Sequence, residues 1–111
     1  MNTQEIITAL SEWIDSSPSY RGISPESADW RRIQKAVQEG AEALEAYCGM
    51  IGENPRKGQT CGLDDVLHEL LDTALAALGA YEHLTGHKGT ALKDLDAHAL
   101  NVGRRAGLIQ G

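Results

Sequence analysis

Three features of this sequence predict an all-α fold built from four helices. Apolar residues recur every three to four positions along four segments, and none alternates apolar and polar residues as a half-buried strand would. Phe is absent, with only two Trp and three Tyr, so Ala and Leu must supply most of the core, which favours helices over strands. Helix-start and helix-stop residues bracket the periodic segments.

The first helix is expected from about Thr3 to Asp15, with Ile6, Leu10, Trp13 and Ile14 on one face. Ser16-Ser17-Pro18-Ser19 ends it, and the Ser- and Pro-rich segment 16–24 reads as a flexible connector. The second starts near Ser24, with Pro25 where a missing N–H is tolerated, and runs to about Cys48. Its stripe is Trp30, Ile33, Val37, Ala41, Leu44 and Cys48, and Gly49 and Gly52 close it. After a polar loop, the third runs from about Leu63 to Leu84, with Val66, Leu67, Leu70, Ala74, Ala77, Leu78 and Tyr81 as its core face and Gly86 at its end. Thr90 is the expected N-cap of a fourth helix carrying Leu92, Leu95, Ala99 and Val102, and the tail from Gly103 is expected to fray.

At 111 residues the chain is expected to form one domain, residues 1–111, with a modest core that favours association with a copy of itself. The net charge of −6, without a basic stripe, argues against binding a nucleic-acid polymer. No apolar run has the length of a membrane span and no signal-peptide pattern is seen, so a cytoplasmic protein is expected. Cys48 and Cys61 form no CxxC pair and read as reduced thiols.

The chemistry-bearing pattern is acidic. Glu39 and Glu42 lie three apart on the second helix, and Glu69 and Asp72 three apart on the third. Residues so spaced sit about 60° apart around a helix axis, so each pair can aim both carboxylates at one point. Two such helices face to face would gather four carboxylates, which repel unless a cation sits among them; oxygen ligands of this kind suit Mg²⁺ or Mn²⁺. Paired charges on a helix are more often a solvated face. Here, however, the Glu39/Glu42 side continues into Ala43 and Ala46, and the Glu69/Asp72 side into Ala76, Gly79 and Ala80. Small residues beside carboxylates indicate a face that another helix or a ligand approaches closely.

The order Glu39-x-x-Glu42, gap, Glu69-x-x-Asp72 resembles the ExxE…ExxD motif of MazG-like nucleotide pyrophosphohydrolases, part of the all-α NTP pyrophosphatase group that includes the dimeric dUTPases. The resemblance spans residues 28–85, within a motif-bearing core of about 25–103, and includes the loop Asn54-Pro55-Arg56-Lys57-Gly58. Asn101 and Arg104 resemble an N-x-x-R element of the dimeric dUTPases. Gln38 stands where the family commonly has a second Glu, Gly40 comes one residue early, and His68 occupies a frequently acidic position. The resemblance implies a four-helix MazG-like bundle completed by dimerisation or tetramerisation. It implies hydrolysis of a nucleoside triphosphate to monophosphate and pyrophosphate, with Mg²⁺ held by Glu39, Glu42, Glu69 and Asp72. Glu39 or Glu42 would serve as the base. Lys35, Arg56 and Lys57 are candidate phosphate contacts and Trp30 and Tyr47 candidate base contacts, although Trp30 and Tyr81 also fit the core stripes and Lys35 can simply pair with Glu39. The competing reading is a non-catalytic helical binding or regulatory protein.

Two further pairs carry less. His83 and His87 are four apart, but Gly86 breaks the helix between them, so their rings need not share a face. Asp65-x-x-His68 matches half of a di-iron element and has no second half.

Overall fold

A computed structural model describes residues 1–110. The chain folds into α1 (Thr3–Asp15), α2 (Pro25–Met50), α3 (Leu63–Leu84) and α4 (Ala91–Arg105), with no strand among the described residues. Local chemistry sets most helix ends. Asn2 and Glu5 form a reciprocal capping box on α1. Ser24 accepts the Ser27 N–H ahead of Pro25, and Asp65 accepts the Gly62 N–H at the start of α3.

Four boundaries differ from the sequence expectation. The connector 16–24 contains a 3₁₀ turn, Pro18–Tyr20, and Arg31 donates to the Ser19 carbonyl, pinning it to α2. α2 runs through Gly49 to Met50, and the reversal falls at Gly52 in the left-handed conformation (φ 68°). Gly49 is needed for another reason: Thr60 and Cys61 of the returning loop press against it, leaving no room for a Cβ. Thr90 occupies the N-cap position of α4, but its hydroxyl donates to Asp94 and accepts no N–H from the helix end. Gly103 stays helical, so α4 continues to Arg105.

α2 and α3 make the most extensive contact, α1 packs on α3, and α4 touches α3 lightly. The α2–α3 seam is built from small residues: Ala43, Ala46 and Ala80 are buried, Ala76 is half-buried, and Gly40 faces Thr73. The apolar stripes expected to be core are instead turned outward. Trp30, Ile33, Val37 and Leu44 of α2 are 63%, 49%, 68% and 65% exposed, and Ala41, Leu67, Leu70, Ala74, Ala77 and Tyr81 are exposed as well. Two helices whose small faces meet can bring their axes close, and the bulky residues on their other sides are then left largely uncovered by the chain. Of the expected α3 core face only Val66 is buried. The radius of gyration, 17.0 Å, exceeds the roughly 13 Å of a compact chain this long.

Candidate metal centre

The α2–α3 seam brings Glu39, Glu69 and Asp72 together, with one carboxylate oxygen from each lying within 4.8 Å of the others. The helix faces predicted to be covered are therefore covered, by each other. The Glu39 side chain is only 12% exposed. Glu69 Oε2 is buried without a hydrogen-bond partner, the only such side-chain atom among the described residues. Burial first, then the charges of Glu42, Asp72, Glu39 and Asp65, push the Glu69 carboxyl above the usual carboxylate range. A buried acceptor left unpaired is costly, and a hard divalent cation is the partner that several converging carboxylates suit. Glu42 stands outside the group of three. With Glu69, Glu45, Ala46, Thr60 and Cys61 it lines an open cavity of about 430 Å³, and Gln38 donates to it at 3.4 Å.

Lys35 Nζ lies 2.9 Å from Glu39 Oε1. Its hydrogen bond to Glu39 outweighs burial, and with the charges of Glu39, Glu42 and Asp72 it raises the Lys35 pKa. Lys57 lines a neighbouring cavity of about 450 Å³ with Glu45, Cys48, Asn54 and Thr60. Glu45 and Thr60 border both cavities, so Glu42 and Glu69 line one cavity and Lys57 the next. The Arg56 N–H bonds Asn54 Oδ1 within the exposed loop. Trp30 lies nine residues before Glu39, about 13 Å along the helix, beside Ile23, Ser27 and Arg31, and so stands away from the carboxylates. Tyr47 is exposed on the outer side of α2. Asp65 is engaged in capping and His68 is exposed, so they form no shared site. Arg104 donates to Asn101 at 3.3 Å, both exposed.

A second polar cluster was not foreseen. Arg32, buried, donates to Asp15 at 2.8 Å and to the Ser11 hydroxyl at 2.8 Å. Ser11 has one proton, and the Gly79 carbonyl at 2.9 Å can only accept it. The Ser11 oxygen therefore accepts from both Arg32 and His87 Nε2 at 2.8 Å, which fixes the proton on that His87 nitrogen. His83 sits between Asp15 (2.6 Å) and Asp29 (2.7 Å), one at each ring nitrogen. His83 and His87 do meet around Asp15, with His87 in a left-handed backbone conformation (φ 58°) just past the helix end. Burial raises the Asp15 carboxyl, but hydrogen bonds from His83 and Arg32 and their charges hold it below the usual range. Nearby, the fully buried Glu82 accepts the Gly89, Thr90 and Ala91 N–H groups and the Thr8 and Gln4 side chains. It caps α4 from another helix while α1 closes over it. One signal pointed to the cluster: Arg32 lies seven residues before Glu39, and His83 seven after Ala76, on the same helix sides as the carboxylates.

No known protein family, curated protein or solved structure matches the chain. No described helix is long and apolar enough to cross a membrane.

Proposed function

We propose that this chain is a Mg²⁺-dependent, MazG-like nucleoside triphosphate pyrophosphohydrolase that cleans nucleotide pools in the cytoplasm. The reading is carried by one observation: three carboxylates from two helices converge within 4.8 Å, and a buried oxygen of one of them lacks a partner. Glu39, Glu69 and Asp72 would hold the ion, with Mn²⁺ as a substitute. When bound, the cation would neutralise charge on phosphate oxygens and make a nearby water more acidic. Glu42, on the cavity wall beside the group, accepts that water's proton. The water oxygen bonds to the α-phosphorus, the bond from that phosphorus to the bridging oxygen breaks, and the electron pair leaves with pyrophosphate. Lys57, on the wall of the neighbouring cavity, would meet the leaving phosphates.

Assembly belongs to the same proposal. The outward stripe Trp30, Ile33, Val37 and Leu44 of α2 and the exposed Leu67, Leu70 and Leu71 of α3 leave many large apolar side chains open to water, which supports association. A second copy covers it, as a dimer or as half of a tetramer.

The test is turnover. With Mg²⁺ and a panel of NTPs and dNTPs, the purified chain is expected to release pyrophosphate and nucleoside monophosphate, and to sediment as a dimer or larger. Glu69→Ala should abolish release while the helical circular dichroism is kept. Nucleotide bound by the wild type but never cleaved would favour a non-catalytic binding protein.

A further inference from the structure

Lys35 is the only Lys or Arg side chain paired with any of the four carboxylates among the described residues. Its ammonium lies 2.9 Å from Glu39, and Glu39 in turn lies within 4.8 Å of Glu69 and Asp72. The two partners differ in freedom: the Lys35 side chain is 55% exposed and that of Glu39 only 12%. Lys35 also borders a small, largely apolar slot of about 150 Å³ with Leu10, Ile14 and Leu75, which suits its methylene stem and leaves the charged tip towards solvent. A long side chain anchored by its stem can move its ammonium without disturbing α2.

We infer that Lys35 is a built-in counter-ion for the carboxylate cluster that changes partner when the site loads. This rests on the metal reading proposed above and concerns its regulation. In the free protein Lys35 offsets one of the four negative charges. When the cluster takes a divalent cation, Lys35 and the cation repel each other across Glu39, and the ammonium releases that carboxylate. The freed ammonium, still beside the site, is then available to a triphosphate oxygen. Lys35 therefore opposes the bare cation and favours the nucleotide, so that the site fills best when both arrive together. A plain surface ion pair at i, i+4 would oppose the cation too, but it would not favour the nucleotide.

The opposite signs give the test. Binding of Mn²⁺ alone to the nucleotide-free chain is measured by electron paramagnetic resonance or calorimetry for wild type, Lys35→Met, Lys35→Arg and Lys93→Met, and the KM for a cleaved nucleotide is measured at saturating Mg²⁺. Lys35→Met should bind Mn²⁺ about threefold to tenfold more tightly and show a KM about tenfold higher. Lys35→Arg should keep the wild-type Mn²⁺ affinity, and Lys93→Met, which removes the same charge from α4, should change neither. Unchanged or weaker Mn²⁺ binding by Lys35→Met overturns the exchange and leaves the metal centre standing, as does equal tightening in Lys93→Met. A wild type that takes up no Mn²⁺ overturns the metal reading itself, and the exchange with it.

Discussion

The same two helices carry two polar clusters that end differently. Around Asp15, Arg32 and His83, each charged group faces an opposite charge or a hydrogen-bond partner at 2.6–2.8 Å. Two to three turns away, Glu39, Glu69 and Asp72 converge with one cation, Lys35, at their margin and one buried oxygen unpaired. The first arrangement holds α1 against α2 and α3 and is complete within the chain. The second leaves one buried oxygen without a partner in the chain, and its like charges cost stability that a bound cation would return. Polarity on a covered helix face thus has two uses, and the count of satisfied acceptors separates them.

The largest expected effect comes from breaking a completed site. Glu82→Ala removes the acceptor for three backbone N–H groups at the start of α4 and for Thr8 and Gln4 of α1. The loss should be about 3 kcal/mol in urea unfolding, since one buried and four part-buried donors lose their partner together. Hydrogen exchange at Gly89, Thr90 and Ala91 should accelerate. Glu69→Ala, on the unfinished cluster, should cost little or stabilise the metal-free chain. Equal losses at the two sites would remove the distinction.

A smaller effect appears in the pH dependence of metal-free stability. Asp15 and Glu82 have carboxyls held below their ordinary values: Asp15 by His83 and Arg32 against its burial, Glu82 by the Gly89 and Ala91 N–H groups, Thr8 and the Thr90 N–H against its own. Their stabilisation is present above the unfolded-state pKa values, about 4, and is lost as pH falls through the lower folded values. Glu69 is shifted upward by burial and its acidic neighbours, so the sign reverses: it costs stability above its raised value, and acid relieves that cost. Subtracting the Glu69→Gln curve from the wild-type curve should therefore show the wild type gaining stability from neutrality down towards pH 4. Saturating Mg²⁺ should erase that gain, whereas the acid loss due to Asp15 and Glu82 should remain. A flat difference curve would mean that Glu69 is not strained.

Helix extents were legible because their signals are local. Ser24 with Pro25, and Gly86, act within one turn, and the structure places α1 and α3 between the expected residues. The convergence of Glu39, Glu69 and Asp72 was legible because the spacing and the Ala/Gly continuation marked a covered face. Burial of the apolar stripes was not. Periodicity says that Trp30, Ile33, Val37 and Leu44 share a side; it does not say whether their own chain covers that side. Glu82 was invisible for a different reason: its partners are backbone groups past the helix end and side chains of α1, more than seventy residues away.

The finest test uses two seam glycines, one beside each cluster. Gly40 follows Glu39, and a Cβ built there meets only Thr73 Cγ2, at 3.8 Å, an ordinary contact. Gly40→Ala should therefore gain up to about 1 kcal/mol, the helix-propensity difference between the two residues. At Gly79 the same Cβ would stand 3.1 Å from Arg32 Nη2. That nitrogen donates to Ser11, and its neighbour Nη1 to Asp15, so the guanidinium cannot withdraw without loosening both bonds. Gly79→Ala should lose its propensity gain and destabilise by about 1 kcal/mol. One substitution in one seam is thus expected to have opposite signs, because the completed cluster has no slack and the unfinished one keeps room. Thermal unfolding of both variants without metal decides it: a stabilised Gly79→Ala would show that Arg32 is free to move, and that the first cluster is as open as the second.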